Sequence, residues 1–289
     1  MNRVSFLGRR FLQLVPVAIG ITIVVFLMLR LIPGDPVRLI LGTRATPESI
    51  AQLERNLGLD KPLWQQYLFF MRNLLQGDLG TSLNYRQPVT SLVGERITPT
   101  LFLIIYSAVI AIMVTLPSAI WAAQRKDRPT DQVIRGATLL TLAMPSFWVG
   151  IIFMIVFGRK LGIFPVSGYG KGLVEHLDHL FLPSLTVALP MSAILIRSLR
   201  SNIISMATAD FIDTARAKGI TERRIMTRHL LRNALISTVT ILGVHIGFLI
   251  GGTVVIENLF AIPGLGALML SSISARDYPM VQGITLVFA

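Results

Sequence analysis

Cysteine is absent from this 289-residue chain. That excludes a disulfide-stapled scaffold, a thiol nucleophile and a Cys-ligated metal. Charge is scarce as well: 15% of residues are Asp, Glu, Lys or Arg, against roughly 25% in an ordinary soluble domain. With 53% of residues hydrophobic, the chain cannot coat a globular surface with polar groups, and a water-soluble enzyme is excluded. Nucleotide and hydrolase signatures are also missing. Gly168-Tyr169-Gly170-Lys171-Gly172 has the wrong spacing for a phosphate-binding P-loop, so no cofactor bound by this chain is expected. Neither a G-x-S-x-G elbow nor an H-E-x-x-H helix occurs. The apolar runs carry no series of carboxylates or arginines to relay protons or sense voltage, so a transported solute would draw its energy from a partner.

What the chain has is long apolar stretches. A helix crosses the roughly 30 Å hydrocarbon core with about 20 mostly apolar residues. Runs 11–29, 99–123, 136–158 and 234–256 meet that length, and 181–196 does so if it extends through Leu199 with Arg197 snorkelling to the interface. A further run starts near Tyr278 and reaches Ala289 after 12 residues, and is read as an incomplete sixth span. The expected fold is therefore an all-α integral membrane protein of about six transmembrane helices. Its parts are 1–32 (N-terminus and first helix), 33–98 (a partly helical extracytoplasmic insert) and 99–289 (a transmembrane core with an inner loop at 197–232).

The net charge of +12 is unevenly placed. Segments 1–10, 124–135 and 197–232 hold 15 Lys and Arg against five acids, while the rest of the chain is near balance. This is the positive-inside bias of short loops, which sets the N-terminus in the cytoplasm and argues against a nucleic-acid partner. Arg3, Arg9 and Arg10 precede the first run as in a signal peptide, but Pro33-Gly34-Asp35-Pro36 follows it rather than a small-residue cleavage site, so the run is read as a retained anchor. With no organelle presequence, the expected location is a bacterial inner membrane.

Local signals add detail. Thr46 can cap a helix with Pro47 in its first turn, and Gly58 can stop it. Leu63, Tyr67, Phe70 and Leu74 form a stripe before Gly77, either on the membrane surface or packed on the bundle. Pro117, Pro145, Pro183 and Pro190 can kink spans. Gly243, Gly247 and Gly251 recur every four residues, permitting close approach of a second helix from a partner subunit or from the same chain. His245, an ionisable residue at membrane depth, is a candidate pathway residue or a neutral histidine bonded to a neighbouring helix. Glu175, His176, Asp178 and His179 have metal-like spacing, or simply form a polar loop.

Between 197 and 232, Thr208, Ile212, Ala215 and Gly219 share one helical face, with Asp210, Asp213 and Ala217 opposite. This reads as a short helix lying flat under the membrane and presenting a knob to another protein, or as a solvated loop with a glycine C-cap. Asp213-Thr214-Ala215-Arg216-Ala217-Lys218-Gly219 resembles the EAA loop of bacterial ABC-importer permeases. Pro33-Gly34-Asp35-Pro36, Leu57-Gly58-Leu59-Asp60, Gly77-Asp78-Leu79-Gly80, Arg232-Asn233-Ala234, Pro263-Gly264-Leu265-Gly266 and Arg276-Asp277-Tyr278-Pro279 sharpen the resemblance to the B-type subunit of the dipeptide/oligopeptide/nickel family. Departures are Asp213 for the usual Glu, Thr214 for Ala, and Ser237 where Pro is frequent.

The resemblance implies a coupling helix seated in a groove of an ATP-binding subunit. Two such subunits would bind ATP and Mg, alongside a homologous second permease subunit and an extracytoplasmic solute-binding protein. It implies close contact at Ala215 and Gly219, and further coupling contacts at Asp213, Arg216, Ala217 and Glu222. The implied cargo is a di- or oligopeptide, with nickel or a metal chelate as the alternative. Two other classes, a receptor or scaffold and an intramembrane hydrolase using His176, Asp178 or His245, lack supporting constellations.

Overall fold

The computed structural model describes residues 3–31, 46–48, 51–52 and 60–289, with side chains of the first helix described from 12 to 27. Pro33-Gly34-Asp35-Pro36, Leu57-Gly58-Leu59 and the expected stop at Gly58 lie outside them. The helices are α1 (Arg3–Leu31), α2 (Leu63–Leu75), α3 (Val89–Gln124), α4 (Pro129–Ala143), α5 (Ser146–Lys160), α6 (Gly172–Ala207), α7 (Asp210–Ala217), α8 (Glu222–Gly252), α9 (Val254–Leu259), α10 (Leu265–Ser274) and α11 (Tyr278–Phe288). No strand occurs among the described residues; Thr81 and Pro88 form an isolated antiparallel bridge. The chain divides into two compact units, Met1–Arg96 with Leu268–Ala289, and Ile97–Ala267.

In the second unit α6 is central, packed by α8, α4 and α5. Among the described residues three helices are long and apolar enough to cross a membrane: α3, α6 and α8. Helices α4 and α5 add a fourth only as a pair, because they are bent by 103°. The span expected at 136–158 is thus broken at Pro145, one of the prolines expected to kink a span. Met144 adopts extended backbone (φ −90°, ψ 132°) before Pro145, since a proline ring disfavours α geometry in the residue before it and offers no N–H to continue the ladder. Glu175, His176, Asp178 and His179, for which a polar loop was one reading, lie instead in the first turns of α6, which starts at Gly172.

Helices gain little hydrophobic drive from one another in lipid, so close packing of small residues does the joining. On α3 the buried small residues Ala108 and Ala111 share a cluster with Ala188, Met191 and Leu195 of α6. A second cluster gathers Leu103, Leu180, Leu182, Ile256 and Phe260 at one end. A third, at the opposite end, holds Ala119, Leu199, Ile203, Ile212 and Leu230. One buried ion pair braces α4 to α6: Arg200 donates from Nε to Asp131 Oδ1 at 2.6 Å and from Nη2 to Oδ2 at 2.5 Å, and the Asp127 N–H adds a bond to Oδ2 at 2.9 Å.

In the first unit α2 packs on α1. Phe26 meets Tyr67 edge-on at 5.3 Å and Phe70 at 5.9 Å, while Thr22 Oγ1 and the Tyr67 hydroxyl are 2.9 Å apart. The packing reading of the Leu63 stripe holds at Tyr67 and Phe70; Leu63 itself stays exposed. Asp277 caps α11 through the Met280 N–H. Its buried carboxylate also accepts from the Ser82 hydroxyl and, at 3.1 Å each, from the Leu83 and Asn84 N–H groups. A Cβ at Gly80 would touch Pro279, and one at Gly283 would press on Val89 and Leu79. The two glycine-bearing segments and the Arg276-to-Pro279 block therefore form one interlock.

Candidate functional site: the coupling loop and the face of α8

Helix α6 ends at Thr208, whose hydroxyl bonds back to Ser205, and extended Ala209 redirects the chain into the eight residues of α7. Ile212 and Ala215 are buried against Leu199, Ile203, Ile225 and Leu230, whereas Asp213, Thr214 and Ala217 are exposed. The helix closes in a Schellman turn: Gly219 N–H bonds to Arg216 C=O at 2.9 Å and Ile220 N–H to Ala215 C=O at 3.2 Å. Gly219 sits at φ +72°, a left-handed conformation that L side chains adopt at a cost. Both expected forms meet here, a short helix and a glycine C-cap.

The turn is tied to α8 by charge. Arg216 donates from Nε to Glu222 Oε1 at 2.8 Å and from Nη1 to Asp213 Oδ1 at 3.3 Å. Glu222 foremost, then Asp213, holds the Arg216 guanidinium above its ordinary range. All three side chains are largely exposed, so the fork fixes geometry more than it adds stability. Immediately after it, Ile225–Leu230 forms a π turn within α8.

Helix α8 is barely covered by its own chain: 11% of its apolar window is buried, against 67% for α6. Gly243, Gly247 and Gly251 are exposed, and a Cβ added to any of them would meet nothing within 4 Å. Among the described residues nothing packs against these three positions. His245 is half-buried on the same helix and has no hydrogen-bond partner among the described residues.

At the far end of the second unit, Glu257 is buried and gathers donors from three segments. Thr100 donates its hydroxyl to Oε1 at 2.7 Å while accepting from the Leu265 N–H, Thr253 adds a hydroxyl at 3.1 Å, and the Ala267 N–H reaches Oε2 at 3.0 Å. A Cβ at Gly264 would overlap this carboxylate, and one at Gly266 would come within 2.6 Å of the Val254 Cα. Both glycines of the Pro263-to-Gly266 block are thus spaces made for Glu257 and α9. Nearby, His176 Nδ1 is 2.7 Å from the Tyr169 carbonyl and His179 Nδ1 is 2.9 Å from the Ser167 carbonyl. Among the described residues no group of three or more His, Cys, Asp or Glu could hold a metal.

Residues 115–289 match the family of binding-protein-dependent transport system inner membrane components, and residues 3–104 match its N-terminal membrane component. The chain belongs to this family. The permease is 37% identical over 285 residues to the glutathione transport system permease protein GsiC of Salmonella choleraesuis (strain SC-B67), covering 99% of this chain and 92% of that one. GsiC of Salmonella typhi is also 37% identical, and GsiC of Escherichia coli (strain K12) 36%, over the same shares. Together with the apolar helices, these matches make it a multi-pass inner-membrane permease subunit of an ABC importer in the peptide/nickel family.

Of the residues singled out from the permease sequence, Asp213, Arg216 and Glu222 come together as one network, with Ala217 exposed beside it. Gly219 is exposed at the turn. Ala215 is turned inward, 6% exposed, and packs α7 against the body of the unit. Sequence reasoning passed over Glu257, a lone acid just after an apolar run, and the Asp131–Arg200 brace, both of whose members sit among loop charges. The nearness of Glu257 to the glycine block was the one available signal.

Proposed function

We propose that this permease is one of the two membrane subunits of an ATP-driven importer of di- and oligopeptides, and that α7 is its coupling helix. The observation that carries the reading is the pairing of an exposed, rigidly capped α7 with an α8 left uncovered along its glycines. The exposed side of α7, with Asp213, Ala217 and Gly219, faces a groove of an ATP-binding subunit. The α8 face packs on a homologous second permease subunit, with His245 near the solute path. ATP and Mg belong to the paired ATPase subunits, which supply the differential affinity for two states that the permease transmits. This chain has no ATPase site of its own in this reading. The charge bias sets the N-terminus and the α7 loop in the cytoplasm, and an extracytoplasmic binding protein delivers solute to the other side.

Peptide cargo is favoured because the GsiC relatives are named for glutathione, itself a small peptide. His176 and His179, the histidines of metal-like spacing, each lie against a backbone carbonyl of their own subunit. The test is ATPase activity of the reconstituted complex with its binding protein, stimulated by a dipeptide, a tripeptide, glutathione or chelated nickel. Stimulation by peptides is the expected result. Stimulation by chelated nickel alone overturns the cargo, and failure to co-purify with ATP-binding subunits overturns the coupling role.

A further inference from the structure

A cavity of about 700 Å³ opens between the ends of α3, α6 and α8, beside α7. That is within the roughly 300–1,000 Å³ of small-ligand sites. Its floor is apolar, built from Ile120, Ala123, Ile203, Ile204, Met226 and Leu230. Its rim is cationic: Lys126, Arg216 and Arg223 line it, with Glu222 the one acid. Glu222 is already committed to Arg216. Lys126 and Arg223 have no acidic partner among the described residues.

The sequence around the cavity changes from apolar span to charged loop, the pattern of a membrane interface. The apolar stretch of α3 ends at Ala123, and Lys126 lies in the turn that directly follows the end of the helix at Gln124. Trp121, exposed on α3 at the same level, is the residue type that collects at membrane interfaces. A site with an apolar floor, a cationic rim and a position at the interface complements one chemistry, an anion carried on a hydrocarbon chain. A free phosphate would leave the floor unused.

We infer that this cavity binds an anionic phospholipid, its phosphate between Lys126 and Arg223 and the start of its acyl chains over Ile120, Ile204 and Met226. Basic pockets between transmembrane helices are the recurrent form of such sites. The lipid would bridge the α3–α4 turn and the first turns of α8. The inference does not depend on the cargo or on the coupling role, because its readout is binding.

The experiment is native mass spectrometry of the full-length permease co-purified with its partner subunits, equilibrated with phosphatidylglycerol or with phosphatidylcholine. Selective retention of phosphatidylglycerol is expected. Lys126→Gln with Arg223→Gln should lower that retention at least about tenfold, and the neighbouring Arg224→Gln, which does not line the cavity, should leave it unchanged. Ile204→Trp, which fills the floor without altering charge, should lower it too and guards against a fold defect in the charge variant. Equal retention of both lipids, no effect of the charge and floor variants, or full competition by inorganic phosphate overturns the assignment. A cysteine placed at Ala123, unique in this chain, that cross-links to an ATP-binding subunit would overturn it in favour of a protein occupant.

Discussion

Removing the Asp131 carboxylate is the sharpest test of how the second unit is braced. Asp131 is fully buried and Arg200 is 17% exposed, and the guanidinium makes two bonds of 2.6 and 2.5 Å to it. Asp131→Ala leaves Arg200 charged, desolvated and unpaired between α4 and α6. Breaking a buried pair from one side typically costs about 3–5 kcal/mol, because the stranded charge cannot regain its hydration. The slight exposure of Arg200 puts the expected loss near the lower end, about 3 kcal/mol, roughly a hundredfold in the folded-to-unfolded ratio. Asp131→Leu with Arg200→Met removes both charges and keeps apolar volume, so it should fall within about 1 kcal/mol of the parent. The freed Asp127 N–H lies in an exposed turn where water can take it. The assay is denaturant unfolding of the purified permease in one detergent, followed by the fluorescence of its three tryptophans. A single variant costing under about 1 kcal/mol, or a double variant as unstable as the single, would refute the reasoning, since then the charge would not be the cause.

Two further outcomes follow from the site. Gly219→Ala places a Cβ in open space but at φ +72°, so it should destabilise the turn by about 1–2 kcal/mol, whereas Ala217→Trp on the exposed face should leave unfolding unchanged and lower transport per ATP hydrolysed; reversed outcomes in the two assays would contradict the assignment of faces. Gly243→Leu also meets open space within this chain, so the isolated subunit should keep its unfolding midpoint while co-purification of the second permease subunit falls, and unchanged co-purification would mean the glycine face contacts only lipid.

How much of this was legible in the sequence differs by element. Helical spacing put Ile212 and Ala215 on one face and Asp213 and Ala217 on the other, and Gly219 marked the stop. Which face turns inward was not readable, because it is decided by Ile225 and Leu230 on the next helix and Leu199 and Ile203 on the previous one. Hydropathy marked 136–158 as one span and Pro145 as a place it could kink, but an apolar run carries no record of how far it turns. The break was written at Met144-Pro145, and the cost of α geometry before proline outweighs the continuity of the run. Glycines 264 and 266 were recognisable as a block, but their reason, the Glu257 carboxylate, depends on Thr100, 157 residues away. The Asp131–Arg200 pair spans 69 residues and looks in sequence like two ordinary interfacial charges.

The same contacts bear on whether a force on α7 could reach the spans at all. A loop helix held only by flexible connections would absorb a push by moving alone. Here Ile212 and Ala215 are buried in the cluster that also holds Leu199 and Ile203 of α6 and Ile225 and Leu230 of α8. The Schellman turn leaves few free torsions between α7 and α8, and Arg216 reaches across it to Glu222. Coupling over distance travels through packed side chains and rigid elements, and these bonds make α7 and the start of α8 one piece. α8 is held along a narrow face, while α6 is packed on most of its surface and braced by Asp131. If α7 is the coupling helix, a load on it therefore enters the start of α8 directly and reaches α6 through Leu199 and Ile203.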